Sequence, residues 1–152
     1  MKTVIVVAST HHGNTKKLVE AIAARNDVEL VDVVAHAQCD LSGYDRIGIA
    51  SGVAFGRYYP QMLKFLENNL PKDKDVFCIH TAGDPRENHA DSAKSIAAER
   101  NCRCLGVYFC KSFDTFGPFK LIGGINKRHP DEEDIEQALR FYAGLDERKS
   151  ER

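Results

Sequence analysis

The chain predicts an α/β domain, a five-stranded parallel sheet with helices on both faces. Three observations carry this. Val4-Ile5-Val6-Val7-Ala8 is apolar at every position, as a strand buried on both faces of a parallel sheet must be. Further along, short β-branched runs alternate with stretches whose apolar residues recur at helical spacing, the pattern of repeated βαβ units. A chain of 152 residues is also long enough to bury one core without disulfide or metal staples.

The elements follow in order. Behind the first strand, the polar stretch 9–15 leads into a helix whose apolar side is Leu18, Val19 and Ile22. Residues 28–34 read as a second strand. A third, 47–50, is entered through the turn residues Ser42-Gly43-Tyr44-Asp45, and 36–41 leaves room for at most a short helix. Pro60 suits a first helical position, with Met62, Leu63, Phe65, Leu66 and Leu70 on the buried side and Pro71 as the stop. Residues 76–80 form a fourth strand. A helix over 88–100 turns Ala90, Ala93, Ile96 and Ala97 inward, and 105–110 is the fifth strand. The last helix, 131–143, faces inward with Ile135, Ala138, Leu139 and Tyr142. Its opening Asp131-Glu132-Glu133-Asp134 complements the helix dipole. Residues 1–145 are expected to make a single domain and 146–152 a charged, disordered tail.

Composition removes several function classes. A net charge of -1 favours neither nucleic acid nor an anionic membrane as partner. No apolar run approaches bilayer length and no cleavage pattern follows the first residues, so a cytoplasmic protein is expected. The cysteines (Cys39, Cys78, Cys102, Cys104, Cys110) are odd in number and lack Cys-x-x-Cys spacing, which points to reduced thiols in the core. The histidines form no regular ligand string, so no metal is expected. Ser9 is not in a nucleophile elbow, and no catalytic residue is assigned.

Parallel sheets bind ligands beyond the carboxyl ends of their strands. Residues 9–15, 51–59 and 81–87, which leave strands one, three and four, should therefore converge. The first of these is a phosphate cradle in outline, because helix N-terminal amides, the dipole and nearby hydroxyls all favour an anion. A capped turn holding nothing is the alternative on the loop alone. The loop lacks both the nucleoside-triphosphatase and the dinucleotide glycine strings, so a single terminal phosphate suits it better. The second segment offers two glycines, three aromatics and a cation in Ser51-Gly52-Val53-Ala54-Phe55-Gly56-Arg57-Tyr58-Tyr59, material for a flat apolar wall beside a planar ligand. Tyr59 is assigned to packing.

Ser9-Thr10-x-x-Gly13-x-Thr15 resembles the phosphate loop of the flavodoxin family, and Cys110 to Asn126 resembles the tail of its short-chain members. The resemblance implies a three-layer sandwich with sheet order 2-1-3-4-5 and flavin mononucleotide (FMN) as cofactor. Ser9, Thr10, His11, His12, Gly13, Asn14 and Thr15 would surround the phosphate. Ser51, Gly52, Val53, Ala54, Phe55 and Gly56 would flank the ring, with Phe55 on its face, and Thr81, Ala82 and Gly83 would form the other ring loop. The chain departs from the family at Ala8 and at Ala82, where aromatics are frequent, and Phe116 is the candidate substitute cover. The Gly56–Arg57 peptide would turn over when one-electron reduction makes flavin N5 a donor.

The function so implied is single-electron transfer between redox partner proteins, by a monomer or weak dimer. The alternative is an FMN-dependent oxidoreductase of quinone reductase or porphyrinogen oxidase type on the same fold. A third reading is a domain that has lost its cofactor and binds a protein. Arg57, Lys111, Lys120, Lys127 and Arg128, unusual in an otherwise acidic family, should favour the fully reduced anion.

Overall fold

A computed structural model describes residues 1–9, 13–112 and 128–150. Its elements are β1 (Thr3–Ala8), α1 (Asn14–Arg25), β2 (Val28–Asp32), β3 (Arg46–Ala54), β4 (Arg57–Tyr58), α2 (Pro60–Asn69), β5 (Asp75–Ala82), α3 (Asp91–Glu99), β6 (Arg103–Lys111), α4 (Glu132–Ala143) and α5 (Leu145–Ser150). A 3-10 turn, Glu87–Ala90, precedes α3.

The five long strands are parallel in the order β2-β1-β3-β5-β6, and β4 pairs antiparallel with β3 alone. Counted without β4, this is the expected order 2-1-3-4-5. Alternation along the strands separates two cores. Val4, Val6, Ile47, Ile49 and Cys78 pack under α2 and α3. Ile5, Val7, Phe77 and Ile79 pack under α1, α4 and α5. The sheet thus lies between two helical layers, which explains why β1 is buried at all six positions while the edge strand β2 is half exposed.

Local chemistry sets the helix ends. Pro60 occupies the first turn of α2, where its missing N–H costs nothing. At α4, Asp131 accepts from the Asp134 amide while Asp134 accepts from the Asp131 amide, each at 2.9 Å, a reciprocal capping box. The acidic cluster therefore serves the helix N-terminus, as its dipole argument expects.

Several boundaries differ from the sequence reading. The second strand ends at Asp32, not Val34, because the Val34 amide turns back to the Asp32 carboxylate at 2.9 Å. The helix expected over 88–100 opens as the 3-10 turn. In α4, Phe141 is as central as Ala138, and it meets the Phe77 ring edge-on at 6.2 Å. The largest correction concerns residues 145–150. They form α5 where a disordered tail is expected, and Asp146 reaches Arg46 Nη2 at 2.6 Å. Arg148 lies over the Phe141 ring and donates to the Leu105 carbonyl at 3.5 Å. Charge composition alone reads as a tail, but here the charges meet buried partners at the base of the sheet. Among the described residues no helix is long and apolar enough to cross a membrane.

Candidate functional site at the strand C-termini

Strand register brings the three segments to one edge. Ala8 pairs with Ser51 and Gly52 pairs with Thr81, so β1, β3 and β5 all finish beside the start of α1. There Gly13 is the N-cap, at φ 65°, and a Cβ at this position would meet nothing within 4 Å. The first turn of α1 carries no acidic residue, whereas α4 supplies its own. Around this N-terminus stand hydroxyls. Ser9 Oγ accepts from the Lys16 amide at 3.3 Å. Thr15 Oγ1 and Thr81 Oγ1 lie 2.9 Å apart, tying α1 to β5. One hydroxyl proton fills that bond, and the second is left for a further acceptor. Asn14 and Thr15 are buried, Lys16 and Lys17 exposed. This donor set, rich in hydroxyls and amides and lacking carboxylates, suits an anion. Thr10, His11 and His12 lie outside the described residues, as does Phe116.

The middle segment is a hairpin, not the loop read from the sequence. Ser51, Gly52, Val53 and Ala54 continue β3, and Val53 and Ala54 pair with Tyr58 and Arg57. Gly52 and the polar Ser51 conceal the extension, since neither reads as strand core. Ser51 is fully buried; its hydroxyl donates to the Gly52 carbonyl at 2.7 Å and accepts from the Tyr59 amide at 3.1 Å. Those bonds make Ser51 a strut of the hairpin. The Tyr59 ring lies across Gly52, where any Cβ would collide with it. The turn itself is Phe55-Gly56, with φ 55° and 79°, the handedness that matches strand twist in a two-residue hairpin. Phenylalanine is an unusual first residue for such a turn, and its positive φ costs on the order of 1 kcal/mol. Phe55 is 87% exposed at this tip, beside the exposed Arg57.

The third segment starts at Thr81, buried on the α1 side. Ala82 ends β5 and Gly83 follows, both half-buried. The Ala82 carbonyl accepts from the Ser112 amide at 3.0 Å. Asp84 and Arg86 form an exposed ion pair of 3.2 Å.

Sequence reasoning missed what joins these segments. His80, 0% exposed, sits on β5 between Tyr58 and the backbone of Arg86. Its Nε2 is 2.8 Å from the Arg86 carbonyl and its Nδ1 2.9 Å from the Tyr58 hydroxyl. A carbonyl only accepts, so Nε2 carries the proton and Nδ1 accepts from Tyr58. The ring stacks on Phe109 at 5.3 Å and 8°. Burial, with a small contribution from His89, pulls its pKa down to about 4 despite the bond to Arg86, so the imidazole is neutral. Nothing in the sequence distinguishes His80 from the other histidines. Only its place in the sheet does.

Spacing also conceals the meeting of His129, Asp131 and Asp134, whose ligand atoms lie within 4.8 Å of one another. His129 Nδ1 donates to Asp134 at 2.6 Å, so this cluster is an extension of the α4 cap. Cys78 and Cys110 are buried in the core, whereas Cys39, Cys102 and Cys104 are half-buried and pack against it. Cys78 is raised well above its ordinary pKa by the Cys104 thiol and burial, and burial pushes Cys110 up to about 12.

Comparison with known proteins agrees with this geometry. A flavodoxin domain family model matches residues 5–104. An uncharacterized protein of Methanocaldococcus jannaschii is 35% identical over 151 residues, covering 95% of this chain and 98% of that one. A flavodoxin from the domain Archaea superposes with a TM-score of 0.64 at 19% identity, over 99% of this chain and 98% of its own. A flavoprotein in complex with FMN from Lactobacillus acidophilus NCFM superposes with a TM-score of 0.54 at 20% identity, over 71% of this chain and 92% of its own. With sheet order and family match in agreement, this chain belongs to the flavodoxin domain family.

Proposed function

We propose that this chain binds FMN and passes single electrons between redox partner proteins. The observation that carries the reading is the pairing of an acid-free, glycine-led helix N-terminus with a strained aromatic hairpin tip at the same sheet edge. Strain of this kind persists where function requires the conformation. Bound FMN supplies the one-electron chemistry. The α1 amides, Ser9 and the Thr15–Thr81 pair hold its phosphate, with Lys16 and Lys17 adding positive field nearby. The Phe55-Gly56 turn and Ala82-Gly83 flank the ring and limit access of water to it. Gly56 has open space around it at φ 79°, so its peptide can reverse and present either N–H or C=O at little cost.

Titrating the purified, flavin-stripped protein with FMN tests this. One equivalent should bind with quenched flavin fluorescence and a shifted visible spectrum; absence of uptake at high protein concentration refutes the reading. A second reading, an FMN-dependent oxidoreductase, draws support from the small side chain at Ala82, which leaves that ring loop without bulk. Steady turnover of NAD(P)H with a quinone by the loaded protein alone would favour it over the carrier.

A further inference from the structure

We infer that His80 is a positioning residue whose two hydrogen bonds set the separation between the Phe55-Gly56 turn and the Ala82-Gly83 segment. The inference rests on the FMN reading, because these are the two segments proposed to flank the ring.

The chain of contacts is short and fully polar. Tyr58 stands two residues beyond Gly56, at the end of the hairpin's return strand. Its ring is 0% exposed, so its hydroxyl needs a partner inside the protein, and His80 Nδ1 is that partner at 2.9 Å. Across the imidazole, Nε2 donates to the Arg86 carbonyl at 2.8 Å, three residues beyond Gly83. That carbonyl also accepts from the His89 amide at 3.2 Å, and the Arg86 amide donates to His89 Nδ1 at 3.3 Å. The segment is therefore held to the start of α3 as well as to the sheet.

A rigid five-membered ring is suited to this role. Its two nitrogens point in fixed, diverging directions, and stacking on Phe109 removes the remaining rotation. β4 pairs with β3 through two residue pairs only, too short a ladder to fix the tip by itself. The imidazole brace supplies the missing constraint. Loosening it on the Tyr58 side frees the hairpin. Altering the ring while keeping a donor toward Arg86 changes the spacing between the segments.

The test compares wild type with Tyr58→Phe, His80→Gln and a core control, Phe65→Leu, which lies in α2. Tyr58→Phe keeps the ring and removes the hydroxyl, and with it both the bond to His80 and the contact with the Cys78 thiol. FMN dissociation constants from fluorescence titration should rise about fivefold in Tyr58→Phe and in His80→Gln, the effect of one buried hydrogen bond partly transmitted to the site. The visible flavin circular dichroism and the first midpoint potential should shift with them. Phe65→Leu should lower Tm while leaving all three unchanged. In the ligand-free protein, imidazole nitrogen NMR should show His80 protonated at Nε2 alone in wild type. Wild-type uptake of FMN with both brace variants indistinguishable from Phe65→Leu would overturn this inference and leave the proposed function standing. Wild-type protein that takes up no FMN would overturn the proposed function, and this inference with it. An Nδ1-protonated His80 would also overturn it.

Discussion

Gly56 and Ser51 show how much a single position depends on what its backbone is asked to do. Gly56 sits at φ 79° with nothing near its missing side chain, so substitution there meets backbone strain and no steric clash. Gly56→Val should therefore fold with a loss on the order of 1–2 kcal/mol. In the FMN-loaded protein it should lower the yield of one-electron-reduced flavin during stepwise reduction, because a β-branched residue resists peptide reversal. An unchanged yield would reject the role given to this glycine. Ser51 was legible as a site candidate only by its position after a strand. Its hydroxyl is spent inside the hairpin, a fact that depends on where Tyr59 returns along β3, eight residues later. His80 was not legible at all, because its identity as a brace comes from three other elements meeting around it.

Among the elements, α5 is the one composition misjudges. Arg46 opens β3 and is 2% exposed, its Nε without a partner among the described residues and its Nη2 on Asp146. A buried guanidinium left without its carboxylate is costly, while exchanging the pair for apolar groups is often neutral. Asp146→Asn should therefore lower Tm by several degrees, and Arg46→Met combined with Asp146→Asn should recover part of the loss. Thermal melts of the two variants decide this. Failure of the single substitution to lower Tm would show that α5 does not brace the sheet. By contrast α1, α2 and α4 follow from their own residues: apolar spacing at Leu18, Val19 and Ile22, Pro60 at the start of α2, and the Asp131–Asp134 box.

For the whole molecule, two electrostatic consequences can be measured. His80 has a folded pKa of about 4, below its ordinary 6.5. The folded state therefore binds fewer protons than the unfolded chain between these values. Its stabilisation is fully present above pH 6.5 and is lost as pH falls from 6.5 to 4, to an extent on the order of 3 kcal/mol. Denaturant unfolding should weaken across that window, and the slope should flatten when His80 is replaced by Gln. Charge also bears on the proposed redox role. With a net charge of -1 and exposed Arg57 and Lys111 at the strand ends, the fully reduced anionic flavin should be stabilised. Its second midpoint potential should be less negative than in strongly acidic flavodoxins, and Arg57→Glu should lower it; a wild-type value as low as theirs would reject the argument.

Hydrophobic periodicity by itself determined the parallel sheet, the two helical layers and the edge where the segments leaving strands one, three and four converge, because burial on both faces demands continuous apolar strands such as Val4 to Ala8. It determined the glycine-led, hydroxyl-rich turn for the same local reason, since helix N-terminal donors need partners within a few residues. Only the tertiary structure decided that Ser51 to Ala54 extend a strand, that α5 docks on Arg46, and that His80 joins the two proposed ring segments. Each of those depends on contacts between residues distant in the chain, and no periodicity records which far-off group will satisfy a buried polar atom.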